Sequence, residues 1–130
     1  MGSANLTKSM STPEFCRLAG ITPRQAQYLE EKGILKAGIR RGWRVWTDDD
    51  VARARILNRM RRAFGISHFR YLPKIRAELL AARWLLASCE TGNVRLEPYT
   101  DEHDLVTELS GFEHAVAVID VGSMRAGAEG

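Results

Sequence analysis

The sequence predicts a mainly α-helical fold with a small amount of β structure. Three observations carry this prediction. Helix-start signals are repeated at Thr12-Pro13 and Thr22-Pro23, a Gly-rich basic turn at 36–42 precedes an alternating segment, and a broad apolar stretch runs from Pro73 to Ser88. We therefore expect a small helical unit with a hairpin, followed by a long amphipathic helix and a short C-terminal β region.

Charge divides the chain into two unlike halves. The 130 residues carry a formal charge of only +3. Residues 1–70 contain 14 Lys and Arg against 6 Asp and Glu, whereas residues 71–130 contain 5 against 10. The front half therefore favours a polyanionic partner such as nucleic acid, and the acidic back half favours a different kind of contact.

Two short helices open the front half. Thr12 is expected to cap the first helix and Gly20 to end it. Thr22 caps the second, Pro23 occupies its first position, and Gly33 stops it. Because only Ala-Gly-Ile-Thr separates the two, the segment predicts a helix-turn-helix.

A basic hairpin and a third helix follow. The turn at 36–42 leads into the alternating segment 43–46, Trp-Arg-Val-Trp, which is typical of a small β-hairpin, or wing. Thr47 then caps the third helix, with Asp50 at the capping-box position. Arginines occupy much of that helix outside its apolar stripe, and we expect them to extend the basic surface: Arg53, Arg55, Arg59, Arg61 and Arg62.

The back half is predicted from its apolar runs. Pro73 prevents one uninterrupted helix, so a turn at 68–72 and a long amphipathic helix over 73–88 are expected. Residues 94–97 and 115–121 predict strands, while 105–109 fit either a strand or a helix. From residue 122 the chain is small and polar, which predicts a disordered tail. The expected regions are 9–66, 67–121 and 122–130.

Several function classes are disfavoured by what the chain contains. Cys16 and Cys89 form no CxxC pair, and the acidic residues beside His103 are contiguous, which favours a polar loop over a metal site. No nucleophile–base pair, phosphate-binding Gly loop or paired carboxylates are recognisable, so neither catalysis nor a cofactor is expected.

Two further features bear on location. The longest apolar run, Leu79–Ala87, is interrupted by Arg83 and is too short to cross a bilayer, so no membrane partner is expected. Two unpaired cysteines suit a reducing compartment, and we expect the protein in the cytoplasm.

The second helix and the hairpin carry residue types that contact DNA. A helix fits the major groove, about 12 Å wide, where Arg pairs with guanine and Gln with adenine, while Tyr and helix N-termini bind phosphate. The predicted DNA-binding residues are Thr22, Arg24, Gln25, Gln27, Tyr28, Arg40, Arg41, Trp43 and Arg44.

Two other interpretations stay open for the arginines. Arg44, which lies between Trp43 and Trp46 in sequence, also fits a cation–π contact on the surface with no ligand. The arginines of the third helix also fit a solvated face paired with Asp48–Asp50.

Residues 12–66 resemble the winged helix-turn-helix domain of MerR-type transcriptional regulators. The resemblance rests on residues 15–22, Arg24, residues 28–35, residues 43–51 and the helix ending at 60–67. It implies that Arg24, Tyr28 and Arg44 touch DNA and that a dimer binds a pseudo-palindromic site. Trp43 and Trp46 stand where tyrosines or similar aromatics are usual. Gln27 replaces a common arginine and Leu29 a common tyrosine, which implies a shifted base preference.

The back half supplies the expected partner surfaces. The apolar face that includes Ile75, Leu79, Leu80 and Leu86 has two interpretations: it packs on the winged helix to complete one core, or it self-associates across a two-fold axis. Part of the face is expected to serve the core, and its breadth favours a homodimer interface as well. The acidic β region is expected to contact RNA polymerase, another protein or the opposite protomer.

The sequence favours a sequence-specific, double-stranded DNA-binding transcriptional regulator without enzymatic activity. Two alternatives remain at this stage. One is an excisionase-like recombination directionality factor, and the other is a protein-interaction adaptor built on a winged helix.

Overall fold

The computed structural model describes residues 9–66, 68–69, 72–113 and 115–125. Its front half has the three helices and the hairpin in the predicted order. They are α1 (Thr12–Ala19), α2 (Pro23–Glu31), β1 (Gly38–Arg40), β2 (Trp43–Val45) and α3 (Asp48–Phe64).

Local capping chemistry explains where these helices begin and end. Thr22 and Thr47 each form a capping box, with Gln25 and Asp50 respectively. Helix α1 differs by one residue from the prediction, because Ser11 is its N-cap and Thr12 is the first helical residue. Gly20 ends α1 in the left-handed conformation, with φ of 73°, which glycine adopts without steric cost.

The back half is an antiparallel sheet with short helices around it. Its elements are α4 (Ala77–Leu80), β3 (Trp84–Glu90), β4 (Asn93–Tyr99), α5 (Glu102–Leu109), β5 (Val116–Asp120) and α6 (Val121–Met124). The strand order is β4-β3-β5, and both pairings with β3 are antiparallel. The back half is therefore richer in β structure than the predicted mainly α fold.

The predicted long helix over 73–88 is wrong. Only four of its residues form α4, and Trp84–Glu90 form the central strand β3. Three consecutive β3 residues, Leu85, Leu86 and Ala87, are buried, so both faces of the sheet are covered at the centre of this strand. Such a continuous apolar run has no period that separates a buried strand from a buried helix.

Two segments of the back half whose structure the sequence left ambiguous or assigned to a loop belong to one helix, α5. The ambiguous segment 105–109 belongs to α5, whose N-terminus is capped by Asp101. The acidic segment around His103 is therefore the first turn of a helix and not a loop.

The predicted disordered tail is wrong for residues 122–125. Val121 and Met124 are buried in α6, which packs against α3. Arg125 then reaches Asp49, with Nη1 to Oδ1 at 2.6 Å, and donates from Nη2 to the Leu80 carbonyl at 3.0 Å. Residues 126–130 of the predicted tail lie outside the described residues.

One buried core joins the two halves. It includes Phe15, Leu29 and Leu57 from the front and Leu85 and Ile119 from the sheet. The core therefore crosses the boundary expected between residues 66 and 67.

The residues predicted as a dimer interface are covered by the chain itself. Ile75, Leu79 and Leu80 belong to the shared core. Leu86 is also buried, and strand alternation places it on the opposite face of the sheet from Leu85. A single chain thus accounts for their burial, and they offer little surface to a second copy.

Two other properties concern the described residues as a whole. None of their helices combines the length and the apolar character needed to cross a bilayer. They also contain no group of three or more His, Cys, Asp or Glu side chains placed to hold a metal ion.

Cys16 is buried in the core, which raises the pKa of its thiol.

Candidate nucleic-acid interface

The N-terminus of α2 is held by a reciprocal pair of hydrogen bonds. The Gln25 backbone N–H donates to Thr22 Oγ1 at 3.0 Å, and the Thr22 backbone N–H donates to Gln25 Oε1 at 2.9 Å. The predicted base-reading role of Gln25 is therefore constrained, because its carbonyl oxygen is engaged at the helix start. Its side-chain NH2 is the group left for an outside acceptor.

Arg24 lies beside an open hollow of about 470 Å³ on the surface of α2. The hollow is lined by Thr22, Arg24, Gln25, Gln27, Tyr28, Glu31, His68 and Phe69. The structure thus brings together all five DNA-binding residues predicted on this helix. Arg24 is exposed and makes no ion pair with any described residue, so its five N–H donors can meet a base or a phosphate.

The other two α2 candidates have partners within the protein. Gln27 Nε2 donates to Glu31 Oε2 at 3.0 Å, one helical turn away. The half-buried Tyr28 ring meets the His68 ring edge-to-face, with centroids 4.7 Å apart. These contacts orient both side chains before any ligand binds.

The wing presents a cationic and aromatic tip. Arg40 pairs with Trp43 and Ile39 with Arg44 across the hairpin. Arg41 and Gly42 form the two-residue turn, with φ of 53° and 82°, as a type I′ turn requires. Trp43 is 77% exposed, which is unusual for so large an apolar side chain and marks a contact surface.

Arg44 connects the wing to α2. Its Nε donates to Glu30 Oε1 at 2.7 Å, and the two residues form an ion pair. The pair keeps the basic wing beside the recognition-helix candidate, which gives one continuous surface. Neither Glu30 nor the exposed Ile39 was among the predicted site residues. Sequence alternation through the hairpin could have indicated Ile39, whereas the Glu30 contact spans 14 residues and has no sequence signal.

The tryptophans on either side of Arg44 have different roles. Trp46 is buried and stacks on Phe15, with ring centroids 4.1 Å apart and planes 3° from parallel. Its Nε1 donates to Thr12 Oγ1 at 3.0 Å. Arg44 forms no cation–π contact with Trp43 or Trp46, all three of which are described, so Glu30 is what orients it.

Most of the arginines on α3 make contacts inside the protein that stabilise the fold. Arg53 donates to the Ile75 carbonyl, and Arg55 donates to the carbonyls of Leu18, Met124 and Arg125. The guanidinium of Arg61 lies over the Phe69 ring at 5.1 Å. These three are therefore tied into the chain, and the expectation that α3 extends the basic surface holds only for the exposed Arg59 and Arg62.

Comparison with known proteins agrees with this geometry. Residues 10–68 match the family model described as MerR HTH family regulatory protein. The match covers α1, α2, the wing and α3, and leaves out the sheet of the back half. A search of the curated proteins finds no match to the chain. Residues 10–68 are therefore a MerR-type helix-turn-helix segment, of the kind found in DNA-binding regulators.

Proposed function

We propose that the protein is a sequence-specific, double-stranded DNA-binding transcriptional regulator that acts as a homodimer in the cytoplasm. In this proposal α2 enters the major groove and the wing contacts the adjacent backbone or minor groove. In this proposal the two predicted regions have separate roles. Residues 9–66 bind DNA, and residues 67–121 contact partner proteins. The protein needs no cofactor or catalytic group for this activity.

One observation carries the proposal. The arginines of α2 and the wing, Arg24, Arg40, Arg41 and Arg44, are exposed, whereas Arg53, Arg55 and Arg61 are engaged inside the chain. Exposed arginines therefore lie on both of the elements that the Arg44–Glu30 pair holds together, and Arg59 and Arg62 are the exposed arginines of α3. A protein-interaction adaptor has no need for this arrangement, since it gains nothing from phosphate contacts.

The acidic back half is suited to protein contacts. Residues 71–130 carry twice as many acidic as basic residues, so DNA repels this half. We place contacts with RNA polymerase or another regulatory protein there.

Selection of bound fragments from genomic DNA tests the function directly. A regulator of this kind should enrich one motif with two inverted half-sites, and binding should weaken steeply as salt rises. An excisionase-like factor would instead enrich tandem sites that it coats without two-fold symmetry. Absence of any salt-dependent binding to duplex DNA would leave the adaptor as the better description.

A pair of double variants then tests the site assignment. Arg24→Ala with Arg44→Ala should weaken binding to the selected motif by about 100-fold or more and reduce the salt slope by about 2. Arg76→Ala with Arg95→Ala removes the same charge from exposed positions in the back half and should change affinity little. Equal effects of the two double variants would show that net charge, and not this surface, determines binding.

A further inference from the structure

The two free edges of the back-half sheet are chemically different. Strands β4 and β5 flank the central strand β3, and in the described part of the chain each has one side without a strand neighbour. A free edge presents unpaired N–H and C=O groups, so proteins usually protect it with proline, charge or a covering element.

The edge of β4 is protected. The two-residue turn at Thr91-Gly92 makes Glu90 and Asn93 a hydrogen-bonded pair, so the odd-numbered β4 residues face β3 and the even-numbered ones face outward. Pro98 falls on an outward position, where it removes one donor. The charged side chains of Arg95 and Glu97 stand between the outward positions, and α5 packs against this strand.

Among the described residues, nothing gives the edge of β5 such protection over its first four positions. The Cys89 N–H donates to the Ala115 carbonyl, and the Val121 N–H donates to the Arg83 carbonyl. In an antiparallel pair every second residue directs its N–H and C=O groups toward the neighbouring strand. Between Ala115 and Val121, the residues that do so toward β3 are therefore Ala117 and Ile119. The outward-facing backbone groups belong to Val116, Val118 and Asp120.

This edge is also rich in strand-forming residues. Its sequence is Val-Ala-Val-Ile-Asp, and the Val118 side chain is 41% exposed. Neither proline nor a charged residue interrupts it before Asp120.

We propose that β5 of a second copy pairs antiparallel with this edge across a two-fold axis at Val118. Val118 then pairs with the partner's Val118, and Val116 pairs with the partner's Asp120. The two Val118 residues exchange two hydrogen bonds, and each Asp120 N–H donates to the partner's Val116 carbonyl, whereas the Asp120 carbonyl already accepts from Ser123 Oγ at 2.7 Å. The two three-stranded sheets then become one sheet of six strands. The inference deepens the homodimer of the proposed function and rests on it.

Three observations favour a second copy over an unrelated strand. The outward positions are symmetric about Val118, so the edge is complementary to itself. Each Asp120 lies opposite a valine, so the ladder places no like charges directly opposite each other. The apolar residues Ile75, Leu79, Leu80 and Leu86 are buried in their own chain. Of the exposed apolar side chains in the described back half, Val106 lies on helix α5, whereas Val118 lies beside unpaired backbone groups.

Val118→Lys is the test variant, and Val106→Lys is its control. Both valines are exposed and both changes add one positive charge, but Val106 lies on α5, which packs against β4. In sedimentation equilibrium the full chain and Val106→Lys should have twice the 14.6 kDa monomer mass, and Val118→Lys should have the monomer mass. Circular dichroism establishes that both variants are folded.

Amide hydrogen exchange gives a second readout at the level of single groups. In the full chain the outward amides of Val118 and Asp120 should be protected together with those of Ala117 and Ile119. In Val118→Lys only the inward amides should remain protected. Fast exchange at the outward amides of the wild-type dimer would overturn the proposed interface, as would a folded Val118→Lys dimer.

The outcomes separate this inference from DNA binding. Val118→Lys should retain salt-dependent binding to an isolated half-site while losing affinity for the paired site. A wild-type chain that binds DNA only as a monomer refutes the β5 interface but leaves the DNA-binding surface intact. Arg24→Ala with Arg44→Ala should remain dimeric, because those residues lie outside the sheet.

Discussion

Arg44 Nε lies 2.7 Å from Glu30 Oε1, and this ion pair joins the wing to the helix beside it. The Arg44 side chain is 58% exposed, so the pair adds at most about 1 kcal/mol to stability. Its effect is orientation, because one guanidinium N–H is committed to Glu30 while the other donors still face solvent. A DNA phosphate would therefore meet an arginine that is already positioned and partly neutralised.

Removing the Glu30 charge should strengthen DNA binding at low salt. Glu30→Gln takes a negative charge from the surface that faces phosphate, so we expect affinity to rise by about two- to five-fold. Screening should reduce the gain as salt increases. Fluorescence anisotropy with labelled duplex across a salt series measures both effects.

Glu78→Gln is the matched control for that experiment. Glu78 is also paired with an arginine, Arg76, at 3.3 Å, but it lies on α4 in the back half. Its removal should leave affinity nearly unchanged. Weaker binding by Glu30→Gln would mean that orientation of Arg44 outweighs the charge that Glu30 places beside it.

The Thr12–Trp46 hydrogen bond should contribute measurably to stability. Thr12→Val removes the oxygen that accepts from the buried Trp46 Nε1, and an unpaired buried donor costs about 1–2 kcal/mol. The urea midpoint should fall without a change in m-value. Thr107→Val, at an exposed position of α5, is the control and should have a much smaller effect.

A double-mutant cycle checks the assignment of that bond. Once Trp46→Phe has removed the donor, Thr12→Val should cost little more. If the two losses were additive, the bond would not be the source of the effect.

Asn58 should be the most sensitive polar residue on α3. Its Nδ2 donates to the carbonyls of Ala19 at 3.3 Å and Gly20 at 3.2 Å, at the end of α1. Asn58→Ala leaves those acceptors without this donor inside the protein and should cost about 1–3 kcal/mol. Arg59→Ala, one residue away and exposed, should change the urea midpoint little, and a similar loss in both variants would contradict the interpretation.

The β3–β4 turn offers a stabilising substitution. Thr91 has φ of 51°, a conformation that a β-branched residue adopts only under strain. Thr91→Asn supplies the Asn-Gly pair preferred in a type I′ turn and should raise stability by about 0.5 kcal/mol.

Substitution of Gly92, in the same turn, should lower stability instead of raising it. Its φ is 83°, so Gly92→Ala should lower stability by about 1 kcal/mol. Thermal unfolding followed by circular dichroism should therefore give shifts of opposite sign. Stabilisation by Gly92→Ala would rule out the turn geometry.

The front half was predictable because its signals are local. Thr22 and Thr47 cap helices within three residues of the groups they bind, and Gly20 supplies a backbone conformation at a single position. The wing likewise depends on a two-residue turn. The position of Arg24 on the second helix, and of the other arginines on the wing, was assigned from these same local signals, and the structure leaves all of them exposed.

The back half was harder to predict from the sequence, because a strand forms only by hydrogen bonding to neighbouring strands. Leu85, Leu86 and Ala87 are equally apolar, and only the pairing of β3 with β4 on one side and β5 on the other decides that they form a strand. The burial of Leu79 and Leu80 follows from packing against distant parts of the chain in the same way.

By itself the sequence determined the helix-turn-helix, the wing and the separation of basic from acidic halves, since composition and short-range hydrogen bonding suffice for these. The tertiary structure decided which arginine side chains are left to bind an outside ligand. Arg44 is bound by Glu30, Arg55 by three carbonyls and Arg24 by no described ion-pair partner, although all three have the same side chain. It also decided which sheet edge stays open, because the direction of each backbone N–H depends on the register between strands that are distant in sequence.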